Sequence, residues 1–304
     1  MFRGQSRLGI NITATKLQFI EILSDTTDVR IINVGEQHFN KNIDWFLDKE
    51  TVIKDLLRDI LRESVFSRKT NSKIVSFSFP LEVFRIYCSH QIKRLDKDEL
   101  LRYYMWELSV LYPNSDFSDY SFSTAFLRSE SLLGDSRVII AALYKRLMKV
   151  ILDLCKDEGM IVGAVDTSHF AFDKAVLFLH KEFIRDISAT VLLDENNFSF
   201  ELFNEGSAVF YKLLHAKFDY YELLFDPEKI DPDLKSVMKR IKKIYICSMG
   251  ESEIQTHFSE VNGAQIIRSD LFRRLIIDDG LKQKIGLLNQ QDFLSAAGMA
   301  LRAY

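Results

Sequence analysis

Several familiar chemistries are missing from this sequence. It has only 3 cysteines, Cys88, Cys155 and Cys247, far apart in apolar segments and with no Cys-x-x-Cys pair. A disulfide framework and a zinc-thiolate site are therefore excluded, and reduced core thiols of a cytosolic protein are expected. No apolar run approaches the roughly 18 residues of a membrane span, so no direct membrane insertion is expected. The opening residues, "MFRGQSRLGIN", hold no long apolar stretch, and no signal peptide is expected. Neither Gly-x-x-x-x-Gly-Lys-Ser/Thr nor Gly-x-Gly-x-x-Gly occurs, which removes the P-loop and Rossmann phosphate cradles. Gly-x-Ser-x-Gly is absent too, so Gly250-Glu251-Ser252 is no nucleophile elbow. The 6 histidines, His38, His90, His169, His180, His215 and His257, show no ligand spacing, and no metal is expected. Charge of neither sign dominates: 40 Lys and Arg against 43 Asp and Glu leave −3, which argues against a nucleic-acid binder. The basic stretch Lys239, Arg240, Lys242 and Lys243 is short and reads as a solvated helix face.

What is present suits an ordinary globular protein. Hydrophobic content is 47% and charged content 27% over 304 residues, enough for two domains or one large one. Aromatics reach 12%, with 24 Phe, mostly inside strand-like or helical patterns. The organising stretch is "SATVLLDENNFSFELFNEGSAVFYKLL", a meander that turns at Asn196-Asn197 and at Asn204-Glu205-Gly206. Ser199 and Glu201 alternate with Phe198, Phe200 and Leu202, so one face is expected to be wetter. A similar hairpin, "RLGINITATKLQFIEIL", opens the chain.

Between them the pattern alternates. "KETVIKDLLRDILRESVF" is an amphipathic helix and "KIVSFSF" a strand ending at Pro80. Then comes a block with the character of an insertion. It holds a long strand "LEVFRIYCSHQI", and a helix "KDELLRYYMWELSVL" capped by Asp96 and Glu99, with Leu101, Tyr104, Leu108 and Leu111 on one stripe. The strand pair "YSFSTAFL" and "SRVIIAAL", the helix "YKRLMKVILDLCKDEG" and the strand "MIVGAV" complete it. Asp166 and His169 have the make-up of an acid–base pair, but Asp166-Thr167-Ser168 reads as a strand end and helix cap. After the meander, "KLLHAKFDYYELLF", "LKSVMKRIKK" and "ESEIQTHFSEVNG" read as helices, "IYICSM" and "AQIIR" as strands, and "QQDFLSAAGMALRAY" as a closing helix. Asp226, Glu228, Asp231 and Asp233 form an acidic loop without the glycine and closing glutamate of a calcium loop. The order is that of an α/β protein with two related halves.

Two halves that each open on a three-stranded meander resemble the actin-like ATPase superfamily. The insertion sharpens the likeness. "KDELLRYYMWELSVLYP", "YSFSTAFL" and "SRVIIAALYKRLMKVILDLCKDEGMIVGAVDTSHFAFDKA" resemble the PilM-type proteins of type IV pilus assembly. Trp106-Glu107, Tyr112-Pro113, Gly159 and Asp166 occupy the matching places. The resemblance implies an actin-like (ribonuclease H-like) two-domain α/β fold with a small inserted α+β subdomain in the first half. On that reading 1–80 plus 166–187 form the first subdomain, 81–165 the insertion, and 188–304 the second domain.

It also implies where a nucleotide would sit, and here the sequence departs from the family. The first phosphate turn resembles Asp-Ile-Gly-Ser-Ser; in "NITAT" Asn11 replaces the aspartate, Thr13 the glycine, and Thr15 keeps a hydroxyl. In the second turn, "DENNF", Asp194 stays but Asn196 stands where glycine is expected. In the adenosine loop, "SMGES", Gly250 stays with Glu251 beside it, an extra carboxylate unfavourable near a polyphosphate. Turn glycines permit close approach of backbone N–H groups to phosphate, and the aspartates position the metal. Their loss argues against ATP hydrolysis, so no cofactor is expected and ATP with Mg is disfavoured. Asp194 reads as a strand-end aspartate that starts a turn. The implied role is a scaffold on the cytoplasmic face of the inner membrane. Its implied partner is the cytoplasmic tail of a PilN-like membrane protein, held between the first subdomain and the insertion, with a pilus motor or other inner-membrane platform proteins as further partners. Tyr103, Tyr104 or Trp106 are candidates for that contact. An active actin-like ATPase or sugar kinase, or a type II secretion or divisome relative, are the alternatives. The ending "GMALRAY", without an amphipathic tail, weighs against the FtsA-like version.

Overall fold

A computed structural model describes residues 5–24, 28–65, 70, 72–92, 95–113, 115–194, 196–215, 223–224, 226, 229–249 and 259–302. Two six-stranded sheets and one three-stranded sheet carry the chain. The first sheet opens with the antiparallel meander β1 (Gln5–Ile12), β2 (Lys16–Ser24) and β3 (Val29–His38). β4 (Ile74–Phe79) then lies parallel to β1. The insertion is a small antiparallel sheet of β5 (Phe84–His90), β6 (Tyr120–Leu127) and β7 (Arg137–Tyr144), with β7 in the middle. β8 (Ile161–Thr167) returns to the first sheet beside β4. The second sheet repeats the plan. β9 (Ile187–Leu193), β10 (Asn197–Asn204) and β11 (Ser207–His215) form a meander, and β12 (Lys243–Ser248) is parallel to β9. β13 (Glu260–Val261) and β14 (Ala264–Ile267) finish it, while β15 (Ile276–Ile277) crosses back to pair with β3. The orders β3-β2-β1-β4-β8 and β11-β10-β9-β12-β14 match strand for strand, which is the internal duplication expected.

Local chemistry explains the elements. The β10–β11 turn has Glu205 at φ 51° and Gly206 at φ 73°, the two positive φ values of a primed hairpin turn. Asp96 accepts from the N–H groups of Asp98 and Glu99 at 2.9 Å, and Glu99 accepts from the Asp96 N–H at 3.0 Å, so the capping box of helix Lys97–Leu111 forms as read. Only Tyr104 and Leu108 of its apolar stripe are buried; Leu101 and Leu111 are exposed. Helix Lys145–Asp157 buries Leu147, Val150, Ile151 and Leu154 as expected.

Several elements differ from the sequence reading. The long strand starts only at Phe84, since Pro80 leads into the 3-10 turn Leu81–Val83. The basic helix is one turn, Lys235–Met238, after the Pro232–Leu234 turn. The first residues of "KLLHAKFDYYELLF" continue β11 to His215, and most of the rest lies outside the described residues, as does most of "ESEIQTHFSEVNG". The wetter face of the meander is not wet. Ser199 and Glu201 are as buried as Phe198, Phe200 and Leu202, because the second sheet is covered on both sides. Phe198, Phe200 and Leu202 join the core on its outer side, while the opposite face meets the bridging helix Ser168–Leu179.

The range 188–304 contains a segment that packs on the first half: β15 pairs with β3, and the closing helix Leu294–Leu301 lies against β1 and the bridging helix. Two glycines allow that approach. A Cβ on Gly298 would overlap the Ala171 carbonyl, and one on Gly9 would overlap the Ala296 carbonyl. Among the described residues no helix is long and apolar enough to cross a membrane.

Candidate functional site

The two meander turns face a shared cleft, and each is closed by its own side chains. In the first turn the Thr13 hydroxyl accepts from the N–H groups of Thr15 at 3.3 Å and Lys16 at 3.1 Å. The Thr13 N–H donates to the Lys16 carbonyl at 2.9 Å. The Thr15 and Ala14 carbonyls accept from Phe39 and Ile43, both at 2.8 Å, which pins the turn to the chain after β3. The N–H groups at Thr15 and Lys16 that would otherwise point at an anion are thus directed at a hydroxyl.

Asp194 closes the second turn in the same manner. Its Oδ1 accepts from the Asn196 N–H at 2.9 Å, and Asn197 Nδ2 donates to both carboxylate oxygens at 2.8 and 2.9 Å. The reading of Asp194 as a turn-starting aspartate is what the geometry displays.

Asn11 is sealed below the cleft. Its Oδ1 accepts from Ser78 Oγ at 2.9 Å and Ser168 Oγ at 3.0 Å, and its Nδ2 meets the Gln18 carboxamide at 3.0 Å. A neutral amide suits this network, because an aspartate there would add a buried charge. Lys16 projects between the turns but is ion-paired with Asp292 and with Glu36 at 3.4 Å. The cavity between the turns measures about 130 Å³ and is lined by Thr13, Thr15, Lys16, Glu82, Asp194 and Asn196 among others. That is below the roughly 300 Å³ at which small-molecule pockets usually begin. Gly250 and Glu251 lie outside the described residues.

A larger depression, about 470 Å³, lies between the insertion and the first sheet. One wall is β6, the end strand of the small sheet, with Ser121 to Ala125 on the groove; the other is β8, the end strand of the first sheet, with Ala164, Val165 and Asp166. Both therefore present an edge that is unpaired among the described residues. The floor is apolar, including Ile139, Leu143 and Met148. Asp166 is more than a strand end: it accepts from the Thr167 N–H at 2.7 Å and pairs with Arg302, from just beyond the closing helix. The helix cap itself is Thr167, which accepts from the Phe170 N–H at 3.0 Å. Burial pushes the Arg302 guanidinium below its ordinary range, and its Nε has no hydrogen-bond partner among the described residues.

Asp166 and His169 do not form an acid–base pair. The His169 ring is buried against Ser199 and Thr190. Of the insertion aromatics, Tyr104 is core, Tyr103 donates to Glu107 at 3.0 Å, and Trp106 is 59% exposed beside exposed Val110 and Leu111. In the acidic loop, Asp231 pairs with Lys212 and Asp233 with Arg137, so these charges already have partners. The Arg302 contribution was hidden from sequence reasoning because it joins positions far apart in the chain.

No protein-family profile matches this sequence, and no curated protein matches it. Solved structures do resemble it. A PilM-PilN type IV pilus biogenesis complex aligns at TM-score 0.64 and 15% identity, covering 97% of this chain and 98% of the other. The cytoplasmic domain of EpsL, an inner-membrane component of the type II secretion system of Vibrio cholerae, aligns at TM-score 0.50 and 10% identity, covering 94% and 98%. The chain has the actin-like two-domain α/β fold, with its small subdomain inserted into the first half.

Proposed function

We propose that this protein is a non-catalytic actin-fold scaffold that captures an extended segment of a membrane partner in the groove between β6 and β8. The observation that carries the reading is the pair of open strand edges flanking an apolar floor, since an extended peptide adds to such edges through main-chain hydrogen bonds and fills the floor with alternate side chains. The two self-closed turns support the absence of catalysis: the groups that would hold phosphates and a metal are spent on their own loops. The partner is the cytoplasmic tail of a PilN-like inner-membrane protein; the alignment with a PilM-PilN complex supports a partner of that kind. The chain then sits at the cytoplasmic face of a pilus or secretion machine, held there by the partner. ATP and Mg play no part in the capture.

The test is a binding titration with the tail peptide of a PilN-like protein encoded beside this chain. Ala125→Arg places a long side chain on an exposed groove position without touching the core, and it is expected to weaken the tail at least tenfold. Absence of binding to the unsubstituted protein with and without Mg-ATP, or equal binding by the variant, sinks the proposal.

A further inference from the structure

The interior between the two halves holds a polar cluster that the groove and cleft do not use. His169 and Asp173 lie four residues apart on the bridging helix, so both face the second sheet. Glu201 of β10 points back at them from the opposite side. The possible ligand atoms of these three residues all lie within 4.8 Å of one another. Each residue is at least nine-tenths buried: His169 0%, Asp173 5% and Glu201 4% exposed. Among the described residues no other group hydrogen-bonds either oxygen of Asp173 or Oε2 of Glu201; the two carboxyl groups face each other. Among the described residues no lysine or arginine pairs with either carboxyl group; His169 Nε2 lies 3.5 Å from Asp173 Oδ1, a contact that carries charge only when the ring is protonated.

Two carboxyl groups held this way need neutralising, because each uncompensated buried charge costs several kcal/mol. Without an ion the pair is carried by a proton: burial and the adjacent Asp173 carboxyl group push Glu201 well above the ordinary carboxylate range, and the protonated Glu201 bonds to Asp173. A divalent cation can replace that proton, taking one ligand atom from each of the three residues, which lie within 4.8 Å of one another. The histidine is already arranged for that role. Its Nδ1 contacts Ser199 Oγ, which donates to Tyr211 Oη at 2.9 Å, the outer-shell pattern that leaves Nε2 free to ligate. Thr190 Oγ1 stands 3.1 Å from Nε2, close enough to yield or to add a fourth donor. Burial pushes the His169 ring below its ordinary range.

We propose that His169, Asp173 and Glu201 form a closed site for a first-row divalent transition ion, zinc or a close relative, that clasps the bridging helix to the second sheet. One nitrogen with two carboxylates suits such ions better than magnesium or calcium, which favour all-oxygen sites. Isolation from solvent gives the ion a structural role.

The test uses untagged full-length protein, unfolded with a chelator and refolded with Zn²⁺, Co²⁺ or Mn²⁺. One ion per chain should survive gel filtration, Co²⁺ should show visible d–d absorption, and the melting temperature should rise above that of chelator-treated protein. Glu201→Gln and Asp173→Asn are near-isosteric, and each should fold yet lose both the ion and the metal-dependent shift. The proposal is overturned if the unsubstituted protein retains less than a tenth of an equivalent of every ion and melts as it does with chelator. It is overturned equally if both variants retain the metal.

Discussion

Replacing Gly298 by alanine sets two effects of opposite sign against each other. Gly298 lies inside the closing helix, where alanine is normally favoured by about 1 kcal/mol. In this fold, however, the added Cβ would run into the carbonyl of Ala171, with the Ala171 Cα at only 3.3 Å. Both obstacles are helix backbone, so no rotamer change relieves them. The closing helix must move away from the bridging helix by well over an ångström. It carries with it Ala296, whose carbonyl abuts Gly9, and Arg302, which pairs with Asp166 at the groove. Overpacking of this kind costs about 1–3 kcal/mol and occasionally more, and backbone against backbone belongs at the upper end. The clash therefore wins. At about 2.1 cal/mol/K of unfolding entropy per residue, a net loss of about 2 kcal/mol lowers the melting temperature by about 3 °C. Thermal melts followed by near-ultraviolet circular dichroism measure it. Gly280→Ala is the control, because nothing lies within 4 Å of the added atom, and it should stay within about 0.5 kcal/mol. A Gly298→Ala protein that melts with the unsubstituted one, or above it, refutes the close packing described.

The remaining predictions concern the turns and the thiols. Titration calorimetry with Mg-ATP should detect no binding; low-micromolar binding that disappears in Asp194→Ala would show that the second turn opens to hold phosphate. Thr13→Ala removes the acceptor of two turn N–H groups and should cost about 1 kcal/mol in a urea melt, a partly exposed turn limiting the loss. Burial raises the Cys88 thiol to about 11 and the Cys155 thiol to about 12, and pushes Cys247 up further. At pH 8 the thiolate fraction of Cys88 is then ~10⁻³, so thiol reagents should label the native protein some hundredfold more slowly than the urea-unfolded chain. Equal rates would show that the thiols are not held in the core.

The meander turns, the capping box at Asp96 and the stripe of helix Lys145–Asp157 were legible because each is a local pattern with a local cause. The failures share one source: alternation and spacing say which way a side chain faces, not what covers that face. Ser199 and Glu201 have the alternation of a solvated surface, yet they lie under the bridging helix. His169 and Asp173 show helical spacing, but their third neighbour comes from a strand beyond the helix and could not be paired with them from the chain alone. Asn11 and Thr13 were singled out as departures at turn positions, and Asp194 as the aspartate retained at one. Their hydrogen-bond partners, Ser78, Ser168, Lys16 and Asn197, needed coordinates.

The return of the chain to its beginning bears on the order in which the molecule can be made. β15 adds to β3, Asp278 N–H donates to the Ile31 carbonyl at 3.2 Å, and the closing helix fills the space over β1. All of these residues are synthesised after the whole second sheet. The first half is translated first, yet part of its covering lies in residues made after the strands of the second sheet. A chain cut before these residues would leave the face over β1 uncovered and the groove beside Asp166 without its arginine.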